Sequence, residues 1–264
     1  MPPRPAPTHF LCIPLVTSTS RPQLLASLAA FRADVTSADS FALPEQSVRP
    51  LGTLHLTLGV MSFPPHTGNG NSATTAAAKD GNGLERAVAL LKSLVPGRTW
   101  AGVRGAGAGT TGEETGAGKE APPPPPPPPL SLTLRGLRSM QAASRASVLY
   151  AAPDDEEGTL RGFCEGLRAR FLEEGLMVED GRPLLLHATI VNTIYVRGGR
   201  GSGGGKGRQG GKRLTVDARR VLERYGDQVW MADVPVEKVA ICRMGAKKGE
   251  DGEEAYEVEA EIDV

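Results

Sequence analysis

Apolar and polar positions alternate along several short stretches of the chain, and apolar positions recur at helical spacing along others. Residues 8–15 form an apolar, strand-like run. Residues 21–35 follow it with Leu24, Leu25, Leu28 and Phe31 spaced as on one face of a helix. The pattern predicts further strands over 54–61, 130–137, 147–152, 184–193, 234–243 and 255–264. It predicts further helices over 84–95, 159–177 and 215–225.

Three stretches interrupt this pattern. Residues 64–83 are rich in Gly, Asn, Thr and Ala, residues 102–129 end in eight consecutive prolines, and residues 197–211 are mostly glycine with basic residues. Such compositions bury too little apolar surface to offset the entropy of ordering the chain. We therefore predict three low-complexity insertions within a single domain that covers residues 8–264.

Without the insertions, the chain repeats the order helix, strand, helix, strand, strand in its two halves. The segment Arg49-Pro50-Leu51 before the second predicted strand also recurs as Arg182-Pro183-Leu184 in the second half. The repetition predicts an α+β, bilobal fold with pseudo-twofold duplicated antiparallel sheets, helices on the outer faces and a central cleft. In the last strand, apolar positions alternate with acidic ones. We expect the apolar side chains to face the core, and these are Tyr256, Val258, Ala260 and Ile262.

Each half carries a His-x-Thr motif in one of its predicted strands. In the first, His55 and Thr57 alternate with leucines; in the second, His187 and Thr189 alternate with apolar residues. Because successive side chains of a strand point to opposite faces, each polar pair is expected to point away from the helix-covered core. A lone His-x-Thr is a weak signal, but two copies at equivalent points of a repeat indicate one site across the cleft.

Two imidazoles and two hydroxyls facing one cleft suit phosphodiester chemistry. One imidazole takes a proton from the attacking oxygen and the other gives a proton to the leaving oxygen. Each threonine hydroxyl can donate to a non-bridging phosphate oxygen. We assign His55 as the base and His187 as the acid, although the pseudo-symmetry also allows the reverse. No metal and no cofactor are expected, because the remaining histidines, His9 and His66, form no metal-binding spacing.

The segments around the motifs, TLHLTLGVM at 53–61 and LHATIVN at 186–192, resemble the two-histidine (2H) phosphoesterases. They look most like the 2′,5′ RNA ligase-like branch with the central domain of A-kinase anchoring protein gamma and the phosphoesterase domain of an activating signal cointegrator complex subunit. Residues 239–244 and 256–258 resemble that branch too. The resemblance implies a bilobal fold, nucleotide or RNA phosphodiester ligands, and the four His and Thr residues as the site.

Three functions share these residues. The first is a metal-independent phosphodiesterase that acts on RNA ends or small nucleotides with 2′,3′-cyclic or 2′,5′-linked phosphates. The second is a non-catalytic nucleotide- or RNA-binding module, with a transcription coactivator or repair complex as its partner. The third is an RNA 2′,5′-ligase-like activity. Binding to a kinase regulatory subunit is not expected, because the chain ends at Val264 with no amphipathic helix after the last predicted strand.

Charge and cysteine content narrow the class of protein. The 30 basic and 30 acidic residues cancel, so no global field favours an RNA or membrane partner. Local charge favours RNA binding in one place, a glycine-rich loop after the second motif that contains no acidic residue. Its six basic residues are Arg197, Arg200, Lys206, Arg208, Lys212 and Arg213. That loop is equally consistent with a neutral repetitive insertion.

The three cysteines lie far apart in apolar runs, which predicts buried thiols in a reducing compartment: Cys12, Cys164 and Cys242. We therefore expect the protein in the nucleus or cytoplasm. No apolar run is long enough to span a membrane.

Overall fold

The computed structural model describes residues 5–63, 82–94, 130–179, 181–196 and 214–264. The longer strands are β1 (His9–Pro14), β2 (His55–Met61), β3 (Ser131–Ser139), β4 (Val148–Pro153), β5 (Ala188–Asn192), β6 (Val229–Pro235), β7 (Lys238–Arg243) and β10 (Val258–Asp263). A short hairpin consists of β8 (Lys247–Lys248) and β9 (Glu254–Ala255). The α-helices are α1 (Arg21–Thr36), α2 (Gly83–Ser93), α3 (Thr159–Glu173) and α4 (Arg219–Tyr225). The predicted insertions lie outside the described residues, except for positions 82 and 83 at the start of α2.

The predicted α+β fold with two antiparallel sheets is confirmed, but the lobes are not the two consecutive halves of the chain. One sheet has the order β10-β7-β1-β2 and the other β6-β3-β4-β5. The first sheet therefore combines the N-terminal strands with the C-terminal ones, and the second consists of the middle of the chain. Strands in the same place of the two orders correspond to each other, with β2 and β5 at equivalent edges.

Two predicted strands differ from the structure. The run over 234–243 is two strands, β6 and β7, which belong to different sheets. Pro235 ends β6, since a proline has no N–H with which to continue a ladder. The strand predicted over 184–193 begins only at Ala188, which pairs with Ala151 of β4. That ladder ends two residues before Pro153, which again has no N–H to donate.

The predicted alternation of the last strand is interrupted at its start. Val258 is 49% exposed, whereas Ala260 is buried. The pairing with β7 shifts register between these two residues. A bulge of this kind adds one residue to the strand and reverses the faces on either side of it, which accounts for the exposed valine.

The main hydrophobic core lies between the two sheets and the helices. It consists largely of Leu, Ile, Val, Phe and Met side chains from the strands and the helices. Phe31 of α1 lies edge-on to Trp230 of β6, with ring centroids 5.1 Å apart. The Trp230 indole donates a hydrogen bond to the carbonyl oxygen of Gly136, at 2.8 Å. A smaller apolar cluster lies apart from this core and consists of Phe10, Cys12, Ala240 and Cys242, with Tyr256 against it. In the described part of the chain, no helix has the length and apolarity to cross a bilayer.

Candidate functional site

The first motif lies at the start of β2, with its polar residues on the face that the leucines leave free. Leu54, Leu56 and Leu58 are all buried in the core, whereas His55 and Thr57 are partly exposed. The predicted division of faces is confirmed here. It follows from the period of two, because three leucines at alternate positions can only be buried together on one side of the strand.

The second motif has the same division of faces around the start of β5. Ala188 and Ile190 are fully buried, while His187 and Thr189 are partly exposed. His187 immediately precedes the strand, whereas His55 is the first residue of its own strand. The prediction that both polar pairs turn away from the core is therefore confirmed for each motif.

A β-bulge follows the threonine of each motif. In the first sheet Thr57 pairs with Cys12 and Gly59 with Leu11, so the residue between them has no partner. In the second sheet Thr189 pairs with Tyr150, and the next pair again skips one residue. Bulges redirect side chains locally, and these two occupy equivalent places in the pseudo-symmetric sheets. The symmetry therefore extends to the irregularities beside the motifs.

The ring of each histidine is fixed by the same backbone contact. Nδ1 of His55 lies 2.8 Å from the carbonyl oxygen of Thr53, and Nδ1 of His187 lies 2.8 Å from that of Leu185. A carbonyl oxygen only accepts hydrogen bonds, so Nδ1 carries the proton in both rings. In a neutral imidazole the other nitrogen, Nε2, then has a free lone pair. Both histidines thus have their Nε2 atom available for proton transfer.

Aromatic rings surround the two imidazoles. The ring of His55 lies 4.7 Å from that of Phe10 and 5.2 Å from that of Tyr256, measured between centroids. The ring of His187 lies 5.5 Å from that of Tyr150. No pattern in the sequence identified these three aromatic residues as neighbours of the histidines. Phe10 and Tyr150 belong to the neighbouring strands of β2 and β5, so their contacts depend on a pairing that periodicity within one strand does not reveal.

Burial lowers the pKa of His55 to about 4, because its aromatic surroundings replace water around the charged ring. The hydrogen bond to Thr53 opposes this shift, and the positive charges of His187 and Arg49 add to it. His55 is therefore neutral near pH 7. The effect of His187 also shows that the two motifs interact electrostatically, in agreement with the contact between β2 and β5.

Arg49 lies where the two motifs meet, and sequence analysis did not include it in the site. Its backbone N–H donates to the carbonyl oxygen of Ile190, the residue after Thr189, at 2.8 Å. Its side chain is 5% exposed and stacks on Tyr195, with the guanidinium carbon 3.8 Å from the ring centroid. The arginine of an otherwise apolar Val-Arg-Pro-Leu run was the one available signal. Its counterpart in the repeat, Arg182, is exposed.

The basic loop and the cysteines that the sequence singled out have different outcomes. The six basic residues from Arg197 to Arg213 lie outside the described residues. The three cysteines are buried and free, as predicted, with Sγ of Cys12 3.8 Å from Sγ of Cys242. Within the described ranges, no group of three or more His, Cys, Asp or Glu side chains is placed to hold a metal ion.

Comparison with known families gives a match over residues 126–264, more than half of the chain, to the AKAP7 2′5′ RNA ligase-like domain. The chain belongs to this family. The matched region contains the second motif, and the first motif precedes it. The resemblance to the two-histidine phosphoesterases is thereby confirmed. Membership of the AKAP7 2′5′ RNA ligase-like family supports a phosphoesterase or RNA ligase-like function.

Individual proteins that are similar to the chain share low sequence identity with it or match only part of it. Escherichia coli LigT in complex with 3′-AMP is 16% identical, with a TM-score of 0.44 and 98% of both chains covered. TT0787 of Thermus thermophilus is 19% identical, with a TM-score of 0.46 and 97% of both chains covered. Uncharacterized protein C15D4.13c of Schizosaccharomyces pombe is 31% identical over 122 residues, which are 46% of this chain and 52% of that protein. The chain thus spans about half the length of this relative.

Proposed function

We propose that this protein is a metal-independent phosphodiesterase that acts on RNA ends or small nucleotides by two-histidine general acid–base catalysis. The observation that carries the proposal is the duplicated arrangement of His55 and His187, each with Nδ1 bound by a backbone carbonyl and Nε2 available. A histidine with a purely structural role has no reason to recur with a threonine two residues later and a bulge beyond it.

The electrostatics of the site favour one division of labour. His55 is neutral near pH 7, so its Nε2 accepts a proton from the attacking water. The water oxygen forms a new bond to phosphorus while the bond to the leaving oxygen breaks. His187, in its protonated form, delivers a proton from Nε2 to that oxygen. The reverse assignment, which the pseudo-symmetry of the sequence allows, requires a protonated His55 and is disfavoured by the low pKa.

The two threonines complete the site by stabilising charge on the phosphoryl group. Thr57 and Thr189 lie on the same strand faces as the histidines, two residues further along. In the proposed mechanism their hydroxyls donate hydrogen bonds to the non-bridging oxygens as negative charge builds up there. Each motif therefore supplies one proton-transfer group and one donor to the phosphoryl group.

An aromatic side chain near His55 supports nucleotides as the substrate class. Tyr256 is partly exposed, and its ring centroid lies 5.2 Å from that of His55. Nucleic-acid bases stack on such rings with little dependence on base identity. Together with the family's RNA ligase-like character, this favours 2′,3′-cyclic phosphates and 2′,5′-linked oligonucleotides.

A substrate panel tests the proposal. Cyclic nucleotides, 2′,5′-oligoadenylate and oligoribonucleotides with 3′ ends are incubated with wild type and with the His55→Asn/His187→Asn double variant, with and without EDTA. We expect turnover of at least one substrate by wild type, no loss in EDTA and no turnover by the double variant. Strong inhibition by EDTA contradicts the metal-independent mechanism. Binding of AMP or RNA without any product supports a non-catalytic binding module instead, and joined products support a ligase.

A further inference from the structure

We propose that Arg49 is a ligand-binding residue of this site, and that its guanidinium binds a phosphate oxygen of the ligand on the His55 side of the cleft. The inference rests on the proposed function, because it takes the ligand to be a nucleotide phosphate. It goes beyond that function by naming a fixed cation that neither His-x-Thr motif contains.

The side chain of Arg49 is buried with an unused donor. Its Nη2 atom is inaccessible to solvent and has no hydrogen-bond partner in the described part of the chain. Glu254 is the nearest carboxylate, but its Oε1 lies 3.8 Å from Nη2, which is beyond hydrogen-bond distance. A buried charged donor without a partner destabilises a fold, and arginine presents five such donors in one plane. This position therefore retains an unfavourable group that a bound anion would satisfy.

A neighbouring arginine shows how the same region satisfies a structural guanidinium. Nη2 of Arg32 donates to the carbonyl oxygens of Val48 and Arg49. Backbone acceptors are thus available beside the segment, and Arg32 uses them. The Nη2 atom of Arg49 donates to no backbone carbonyl of the described ranges, although the side chain of Arg49 is more deeply buried than that of Arg32.

Arg49 is close enough to the motifs for its charge to act on them. It helps to lower the pKa of His55, and it interacts with the phenol of Tyr256, whose ring faces His55. Its own backbone is held by Ile190, next to Thr189. The guanidinium is therefore anchored between the two motifs and not at the end of a freely moving side chain.

Tyr195 is the layer between Arg49 and solvent. It stacks on the guanidinium at 3.8 Å and is itself 43% exposed. Stacking covers the flat face of a guanidinium, whereas its N–H groups point outward in the plane. Binding of a phosphate at Nη2 requires the exposed tyrosine side chain to turn aside. The planar fork of donors would then meet the phosphate with a geometry that lysine does not reproduce.

Calorimetric titration of the full chain with AMP, adenosine and inorganic phosphate tests the inference. Arg49→Met keeps the unbranched apolar stem and removes the charge, and Arg49→Lys keeps the charge without the planar fork. We expect Arg49→Met to weaken AMP and phosphate binding by about tenfold or more, with adenosine binding unchanged. Arg49→Lys should fall between it and wild type. Arg170→Met is the matched control, because Arg170 is exposed and pairs with Glu173 on α3. This variant should bind all three ligands with the affinity of wild type.

Thermal unfolding of the same variants separates binding from structure. Arg49→Met loses the ion pair with Glu254 and the stack on Tyr195 but also ends the burial of a charge, so its melting temperature should stay close to that of wild type. The inference is overturned if AMP affinity is unchanged in Arg49→Met, if wild type binds neither AMP nor phosphate, or if AMP and adenosine affinities fall together with the melting temperature. If wild type turns over no substrate but Arg49→Met selectively loses phosphate-dependent binding, the role of Arg49 as a ligand-binding residue stands. That result contradicts only the phosphodiesterase proposal.

Discussion

The carbonyl oxygen of Thr53 accepts a hydrogen bond from Nδ1 of His55 at 2.8 Å, two residues back along the chain. The contact assigns the proton of the neutral ring to Nδ1 and leaves Nε2 as the basic atom. It also identifies a substitution that keeps the contact, because the side-chain amide of asparagine can donate from nearly the same place as Nδ1. Since Asn has no counterpart of Nε2, it removes the proton-transfer atom together with the ring contacts to Phe10 and Tyr256.

His55→Asn and His187→Asn should each lower kcat by about 10²- to 10⁴-fold on the best substrate of the panel, the range for loss of one general acid or base. The variants should remain folded at the assay temperature, because the backbone carbonyl keeps a donor, while loss of the ring contacts lowers the melting temperature. Steady-state kinetics and thermal unfolding measure the two effects. A variant that loses activity only in proportion to its loss of folded protein would contradict a catalytic role.

The pH dependence of kcat/KM should distinguish the base from the acid. With His55 as the base, the acidic limb of the profile lies near pH 4, because burial keeps the ring neutral down to that pH. Wild type alone gives the same bell shape when the two roles are exchanged, because either assignment requires one proton shared between the two histidines. Initial rates of wild type and of His55→Asn from about pH 3.5 to about pH 9 therefore settle the assignment. If His55 were the acid, the variant would keep an acidic limb, because the base His187 would still have to lose its proton. His55→Asn should lack the acidic limb in any residual activity.

The same pKa makes a prediction about stability. The pKa of His55 is lowered from 6.5 to about 4 in the folded chain, so the unfolded chain binds a proton first as the pH falls. The contribution of neutral His55 is complete above pH 6.5 and is lost between pH 6.5 and pH 4, at a cost of roughly 3 kcal/mol. Urea unfolding at pH 7 and pH 4 measures it.

The control for this measurement is His55→Asn, which cannot take up the proton. Burial also lowers the pKa of His9, so wild type and variant share that contribution and their difference isolates His55. Equal losses of stability in the two proteins between pH 7 and pH 4 would show that folding does not lower the pKa of His55.

Local pattern was enough to predict the motif strands and their faces. Three leucines alternating with His55 and Thr57 determine which side of β2 is buried, whatever the rest of the fold does. It was not enough to predict how the strands combine. β6 and β7 are separated only by Val236 and Glu237, yet they belong to different sheets. That crossing depends on long-range pairing, which one strand's periodicity does not encode.

The same distinction explains why the site was only partly predicted. His55 and His187 stand out because they recur with a threonine at one spacing. Arg49 and Tyr195 come together from segments far apart in the chain, through stacking that no short motif records. Neither residue stands out in the sequence. What distinguishes the pair is the Nη2 atom of Arg49, which is buried without a hydrogen-bond partner among the described residues.

Gly52 offers a prediction about the hairpin of β8 and β9, which packs on the turn just before His55. A Cβ atom at this position would lie 2.7 Å from the carbonyl oxygen of Glu254, so Gly52→Ala must push the hairpin away. We expect a loss of about 1–3 kcal/mol in the free energy of unfolding. We also expect a higher KM, since Glu254 flanks Arg49. Gly249→Ala is the control in the same hairpin, because its Cβ would meet only the movable Asp251 side chain at close range. Urea unfolding and steady-state kinetics compare the two, and equal stability of both variants would contradict a rigid contact at Gly52.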